Sequence, residues 1–259
     1  MRELMAAPAP ITIFLLPGLE GTGRLFARFQ AEADGSLDLV PVAYPPDREL
    51  SYAALEERLR PLFPQDRPFA LLGESFSGPL ALRLAARGPP GLVAVVLATT
   101  FVRRPAAAPI AALRPLAPAF FRLPLPRHVV RLLLAGFDAP AALVEDVRAA
   151  VATVRGSVMA ARAAEALRVD ASEALRQCPV PVLILSGKED RLVRRSSPRE
   201  MKALRPDAEV HLFDAPHLVL QRCPRESMVR VREFVLRKAR ERMGEASPPR
   251  DALRSADLV

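Results

Sequence analysis

A serine, an aspartate and a histidine of this chain have the side chains that nucleophilic catalysis at a carbonyl carbon requires. Ser75 stands in the stretch LLGESFSG, with a glycine two residues before it. A serine hydroxyl is a weak nucleophile unless a neighbouring base takes its proton. His217, in DAPHLVL, directly follows the last predicted strand, whereas His211 lies inside that strand and His128 lies in a helical region. The sequence therefore predicts that His217 is the base for Ser75.

A catalytic histidine needs a carboxylate that fixes its tautomer and stabilises the imidazolium ion. Asp190, in SGKEDRLV, follows the fifth predicted strand, so we expect it at the same edge of a parallel sheet as His217. Glu189 is the nearest competitor and Asp214 is the second. We predict Asp190 for this role, although its position at a strand end does not by itself separate it from Glu189.

The surroundings of Ser75 are typical of a tight strand-to-helix turn that exposes a nucleophile. An apolar run ends just before the serine, and the helical stretch LALRLAAR follows it. The flanking positions of such a turn must be small, as Gly73 and Gly78 are. Ser77 stands where a glycine is usual, at a point where strand and helix approach closely. We expect the hydroxyl of Ser75 to lie at the positive end of the following helix.

An acyl-transfer site also needs hydrogen-bond donors for the negative charge that develops on the carbonyl oxygen. The backbone N–H of Phe76 directly follows the serine and points toward the nucleophile in such a turn. The second donor should come from the loop after the first strand, LLPGLEGTG, where Leu19 follows a proline and a glycine. We therefore predict Leu19 and Phe76 as the oxyanion donors.

Short apolar runs predict the strands that position these residues: 11–16, 37–42, 69–73, 92–98, 180–186 and 209–213. Several of these runs are apolar without alternation, as in strands that are covered on both faces. Helical patterns stand between them, at 51–63, 77–87, 198–204 and 225–243. This alternation predicts an α/β fold, a mostly parallel sheet of about six strands with helices on both faces and a helical cap insertion.

The predicted cap lies where the alternation of strands and helices breaks, between Phe101 and Gln177. The sequence is thus divided into an N-terminal tail (1–9), a first core segment (10–100), a helical cap (101–177), a second core segment (178–243) and a polar, disordered C-terminal tail (244–259). The cap carries a proline-punctuated apolar stretch that includes Phe120 and Phe121. We expect these two residues to line an acyl pocket over the strand ends.

The composition favours a cytoplasmic protein that neither binds nucleic acid nor spans a membrane. The net charge of +8 comes mostly from arginines, which are spread along the chain and do not interleave with aromatic residues. No apolar run approaches the roughly 18 residues of a membrane span, and the first ten residues lack the features of a secretory signal. Cys178 and Cys223 form neither a metal motif nor a disulfide framework. We expect no metal and no organic cofactor.

Four stretches together resemble the α/β-hydrolase family: LLPGLEGTGRLF, LLGESFSG, CPVPVLILSGKEDRLV and FDAPHLVLQRCP. The resemblance spans about residues 10 to 243, and the order Ser75, Asp190, His217 is the order expected of that fold. It implies a catalytic triad of these three residues, with Leu19 and Phe76 as the oxyanion donors. It also implies that the insertion corresponds to the cap or lid of that family.

Two departures from the pattern of that family leave the catalytic atoms in place. Ser77 replaces the usual glycine, and the ten residues before Ile11 are too few for the family's usual first hairpin. The resemblance implies a serine hydrolase that cleaves an ester or thioester of a small, hydrophobic acyl substrate through an acyl-enzyme on Ser75.

Three other functions are alternatives to hydrolysis for this sequence. The same triad serves acyl transfer to an alcohol, amine or thiol, so the motif does not choose between transfer and hydrolysis. A hydrolase fold used only for binding is disfavoured because the whole triad is present. A phosphate-binding loop at residues 18–23 is disfavoured because Arg24 and Leu25 stand where such a loop needs lysine and a serine or threonine. The sequence does not name the physiological substrate.

Overall fold

The computed structural model of the chain describes residues 9–105 and 124–244. Residues 1–8 of the predicted N-terminal tail and residues 245–259 of the predicted C-terminal tail lie outside this range. Phe120 and Phe121, the predicted pocket residues, also lie outside the described residues. Their roles therefore stay predictions.

Within the described residues, six strands form one sheet in the order β2-β1-β3-β4-β5-β6, and every neighbouring pair is parallel. The strands are β1 (Ile11–Leu16), β2 (Leu37–Pro41), β3 (Phe69–Glu74), β4 (Leu92–Ala98), β5 (Val182–Gly187) and β6 (Glu209–Phe213). The register pairs Leu72 of β3 with Leu15 and with Val96, so the centre of the sheet is apolar across three strands. The predicted parallel sheet of about six strands is confirmed.

The helices of the described residues alternate with the strands, except between β4 and β5. They are α1 (Ala27–Gln30), α2 (Tyr52–Leu59), α3 (Ser77–Ala86), α4 (Arg127–Val130), α5 (Ala141–Ala152), α6 (Gly156–Arg168), α7 (Ser172–Arg176), α8 (Ser197–Leu204), α9 (Val219–Arg222) and α10 (Pro224–Met243). None of the described helices is long and apolar enough to cross a membrane.

Helices cover both faces of the sheet, which explains why its strands are apolar without alternation. On one face, α2, α3, α7 and α8 pack with Phe14 and Leu71, and on the other face α1, α9 and α10 pack with Leu15 and Leu72. Leu71 and Leu72 are neighbours in β3 that point to opposite faces, and both are fully buried. Burying a leucine side chain contributes about 2 kcal/mol, so both faces of this strand stabilise the fold.

Because all six strands run in one direction, their carboxyl ends share one edge of the sheet. Helices α4 to α7 belong to the segment between β4 and β5, which we call the insertion. Leu143 of α5 belongs to the same apolar cluster as Leu218, the neighbour of His217 in sequence. Met159 of α6 belongs to a cluster against which Leu19 packs. The insertion therefore contacts the loops that follow both the first and the last strand.

Candidate active site

Ser75 lies between β3 and α3 in a left-handed backbone conformation, with φ of 51°. This conformation costs a residue with a Cβ about 1–2 kcal/mol, so its neighbours must hold it. The N–H of Ser75 donates to the carbonyl of Ala98 at 2.9 Å, and the hydroxyl of Thr100 donates to the carbonyl of Ser75 at 2.5 Å. A Cβ at Gly73 would lie only 2.9 Å from the Cβ of Ala81, so the turn requires glycine at that position.

Ser75, His217 and Asp190 form a continuous chain of hydrogen bonds. The Oγ of Ser75 lies 2.9 Å from Nε2 of His217, and Nδ1 of His217 lies 2.8 Å from Oδ2 of Asp190. The other carboxylate oxygen, Oδ1, accepts hydrogen bonds from the N–H groups of Leu192 at 2.8 Å and Val193 at 2.9 Å. Because Nδ1 donates its proton to the fixed carboxylate, Nε2 presents its lone pair to the hydroxyl of Ser75.

The residues that the sequence offers as alternatives to Asp190 and His217 take no part in these hydrogen bonds. Glu189 is exposed, and Asp214 forms an ion pair with Lys188 at 2.7 Å. His211 lies 2.9 Å from a carboxylate oxygen of Glu226 on α10. Across residues 9–105 and 124–244, no group of three His, Cys, Asp or Glu side chains is arranged to hold a metal ion.

The surroundings of His217 are buried and acidic. Burial acts to lower the pKa of His217, but the charge and hydrogen bond of Asp190, with the charge of Glu74, raise it above its ordinary value. Burial and the neighbouring Glu20 raise the pKa of Glu74 to about 7, against the hydrogen bond from Gln221 and the charge of His217. Burial also raises the pKa of Glu20 itself. These surroundings favour the protonated imidazolium that a general base forms.

The loop after β1 lies against Ser75. A Cβ at Gly18 would lie 3.9 Å from the Cβ of Ser75. In the described part of the chain, the N–H groups of Leu19 and Phe76 donate to no other group. The carbonyl of Phe76 accepts a hydrogen bond from the hydroxyl of Tyr52 at 2.8 Å, which fixes the turn after Ser75. Both predicted donors are therefore free to bind a ligand oxygen.

The sequence model of one protein family, described as the alpha/beta hydrolase family, matches residues 2–231 of the chain. The chain belongs to the α/β hydrolase family. This match and the parallel sheet confirm the family and the fold that the sequence predicts. None of the curated proteins compared with the chain matches it.

Solved structures resemble this hydrolase-family chain over most of its length. An esterase from Thermogutta terrifontis has a TM-score of 0.75 at 20% identity, covering 89% of this chain and 91% of its own. A carboxylesterase from Nitrososphaera gargenis has a TM-score of 0.75 at 13% identity, covering 90% and 92%. An esterase from Exiguobacterium antarcticum has a TM-score of 0.72 at 14% identity, covering 88% and 92%. At these identities the likeness establishes the shared fold.

Sequence reasoning missed the buried polar side chains that surround the site in this family member: Glu20, Tyr44, Glu74, Arg162 and Gln221. Glu74 had a clear signal, since it directly precedes the serine of the turn motif. Arg162 had a weaker one, because it stands four residues from Val158 and from Ala166 and so interrupts the apolar stripe of α6. Tyr44 and Gln221 left no signal, because their contacts depend on the folded loops.

Proposed function

We propose that this protein is a serine hydrolase that cleaves an ester or thioester of a small acyl substrate through an acyl-enzyme on Ser75. The chain of hydrogen bonds from Ser75 through His217 to Asp190 carries the proposal, because it joins a nucleophile to a base and the base to a fixed carboxylate. The esterase and carboxylesterase names of the structural neighbours agree with it.

In the first half of the reaction, His217 takes the proton of the Ser75 hydroxyl as its oxygen attacks the carbonyl carbon. Asp190 stabilises the imidazolium that forms. The N–H groups of Leu19 and Phe76 bind the carbonyl oxygen as it becomes an anion. When the tetrahedral intermediate collapses, the bond to the leaving group breaks, and the imidazolium gives its proton to the departing alcohol or thiol.

In the second half, a water molecule takes the place of the leaving group. His217 removes a proton from this water, whose oxygen attacks the acyl carbon of the ester on Ser75. The same two N–H groups receive the second oxyanion. Collapse of the intermediate releases the carboxylic acid and returns the proton to Ser75, so the enzyme ends as it began.

The acyl group is proposed to be hydrophobic, because apolar residues of the insertion approach the site. Met159 of α6 packs with Leu19, and Leu143 of α5 packs with Leu218. Each methylene that a substrate buries contributes about 0.8 kcal/mol. This free energy corresponds to about a fourfold change in kcat/KM. We therefore predict that kcat/KM rises from acetyl toward medium-chain esters, and that truncating Phe120 or Phe121 to alanine flattens this rise. A flat or falling profile in the wild type would rule out a hydrophobic acyl pocket.

The direct kinetic test is turnover of p-nitrophenyl acetate by the wild type and by Ser75→Ala. We expect the variant to fold, as judged by circular dichroism and thermal unfolding, and to lose at least 99% of kcat/KM. Ser196→Ala, at an exposed serine on another helix end, is the matched control and should keep full activity.

Two outcomes would replace the proposal with one of its alternatives. A folded wild type that turns over no ester or thioester of any chain length would favour a binding protein. Formation of a new ester in place of the free acid, at low concentrations of added alcohol, would favour an acyltransferase that uses the same triad.

A further inference from the structure

The loop after β1 is held by a buried arginine that reaches it from the insertion. Arg162 of α6 is 2% exposed. Its Nη1 donates to the carbonyls of Leu19 at 2.9 Å and Glu20 at 2.8 Å, and its Nη2 donates to the carbonyl of Pro45 at 2.9 Å. We infer that Arg162 is a positioning residue that keeps the N–H of Leu19 directed at the oxyanion, an inference that rests on the proposed function.

Tyr44 and Gly21 leave little space around the guanidinium of Arg162. The guanidinium lies over the ring of Tyr44, 5.5 Å from its centre. Gly21 has a φ of 68°, and a side chain built there would overlap the guanidinium. A buried charge is costly unless hydrogen bonds satisfy it. The three carbonyls supply these bonds, so the buried arginine and this conformation of the loop depend on each other.

A second side chain, that of Ser77, holds the same loop at Pro17. Ser77 is fully buried, and its hydroxyl donates to the carbonyl of Pro17. Since that hydroxyl has only one proton, the hydroxyl of Tyr44, 2.6 Å away, donates to Ser77. Tyr44 thus touches both holders of the loop, with its ring under Arg162 and its hydroxyl on Ser77.

Arg162 and Ser77 fix the peptide groups on either side of the proposed donor. Ser77 binds the carbonyl of Pro17, and Arg162 binds the carbonyl of Leu19. Between these carbonyls lies the peptide group from Gly18 to Leu19, whose N–H is the proposed donor. The carbonyl of this peptide group accepts a hydrogen bond from the N–H of Gly21 at 3.0 Å. Because glycine has wide backbone freedom, the orientation of the peptide also depends on the fixed groups on either side of it. Oxyanion stabilisation requires a donor that is already in place when the charge develops.

The test measures ester turnover by Arg162→Met and Arg162→Lys, with Arg168→Met as the matched control. Arg168 lies on the same helix and is exposed. Titration with a fluorophosphonate counts the functional serines, so that every kcat refers to folded sites. We expect Arg162→Met to lower kcat by about 10- to 100-fold, because a displacement of about 1 Å at a reacting group costs about that much. KM should change less than about threefold.

A trifluoromethyl ketone separates positioning from a loss of stability. It adds to the serine and places an oxyanion where the ester intermediate does. Because Ser75, His217 and Asp190 are the same in all these variants, a change in its inhibition constant reports on the oxyanion donors. For Arg162→Met we expect this constant to rise by the same factor by which kcat/KM falls. Arg162→Lys keeps the charge but lacks the planar fork, so its loss should be intermediate. Arg168→Met should match the wild type in both measurements.

The possible results distinguish this inference from the proposed function. A wild type that neither turns over esters nor reacts with the fluorophosphonate overturns the proposed function, and the inference with it. An active wild type with Arg162→Met within twofold of its kcat overturns the inference alone, as does a loss of kcat with an unchanged ketone constant. Where Arg162→Met fails to fold, the same comparison for Arg162→Lys decides.

Discussion

The candidate active site has two halves that are held in different ways. The proposed proton-transfer half consists of Ser75, His217 and Asp190, which follow β3, β6 and β5 and are fixed by hydrogen bonds close to the sheet. The proposed oxyanion half depends on the loop after β1, whose carbonyls accept hydrogen bonds from Arg162 of the insertion and from Ser77 of α3. The first half depends on residues that follow the strands, whereas the second half also depends on the insertion between β4 and β5.

This difference indicates which substitutions should abolish the reaction and which ones should only lower its rate. A change in the proton-transfer half removes a reacting group or its direct partner. A change in the oxyanion half leaves all reacting groups in place and alters only how well a donor is directed. We therefore expect large losses from the first half, and smaller ones from the second that vary with how the loop is held.

The largest effect should come from Asp190→Asn, compared with Glu189→Gln. An amide at position 190 removes the charge that stabilises the imidazolium and favours the wrong tautomer of His217, so kcat should fall by about four orders of magnitude. Glu189 is exposed, so Glu189→Gln should stay within twofold of the wild type. Steady-state kinetics with one activated ester measures both. The reverse ranking would move the carboxylate role to Glu189.

A smaller effect is expected from Ser77→Ala in the oxyanion half. The variant leaves the hydroxyl of Tyr44 and the carbonyl of Pro17 without their partner, which should cost about 1–3 kcal/mol of unfolding free energy. Its kcat should fall by about tenfold, as the loop loses one of its holders.

The double variant Tyr44→Phe, Ser77→Ala is the control for this effect. Removing both hydroxyls leaves fewer buried polar groups unpaired. The double variant should therefore lose less unfolding free energy than the two single variants lose together. Strictly additive losses in a double-mutant cycle, measured by urea unfolding, would show that Tyr44 and Ser77 are not coupled.

Glu74→Gln should act on the pH dependence of the reaction and leave its maximum nearly unchanged. Since the charge of Glu74 helps to raise the pKa of His217, the neutral amide should lower that pKa. The base acts in its neutral form, so activity rises with pH as His217 loses its proton. The acid limb of kcat/KM should therefore move to lower pH in the variant. A limb that stays in place would separate Glu74 from His217.

The same variant should change how stability depends on pH. The pKa of Glu74 is about 7 in the folded protein and 4.5 as an ordinary value, so the folded state holds a proton that the unfolded chain has lost. The wild type should therefore lose stability as pH rises from about 4.5 to about 7, by up to about 3 kcal/mol. Glu74→Gln removes this loss, so it should unfold at a higher temperature than the wild type at pH 8 but not at pH 4.5.

The proton-transfer half could be predicted from the sequence because each residue carries a local signal. Ser75 has a strand before it and a helix after it, while Asp190 and His217 directly follow strands. The strand bounds agree to within two residues, with 92–98 matching β4 and 180–186 shifted by two at the start of β5. The sequence favoured Asp190 over Glu189, but position alone did not separate them, because both follow the same strand; in the structure Asp190 lies within hydrogen-bond distance of His217.

The oxyanion half could be predicted only in part. The sequence indicated Leu19 as a donor, but it gave no means of finding what holds the loop. The contact between Arg162 and Leu19 joins residues 143 positions apart and exists only once α6 has packed on the sheet edge. Ser77 looked like a departure from the usual glycine, yet its hydroxyl binds the loop, because a buried serine can reach a carbonyl that a glycine cannot.

Covalent labelling of the folded wild type tests the central claim most directly, namely that Ser75 is a nucleophile activated by His217. A fluorophosphonate reacts with an activated serine by losing fluoride and forming a stable ester, which intact-mass and peptide mass spectrometry locate to one residue. We predict one adduct per chain, on Ser75, and no adduct in Ser75→Ala or in His217→Ala. An unlabelled wild type, or an adduct that persists in Ser75→Ala, would contradict the account.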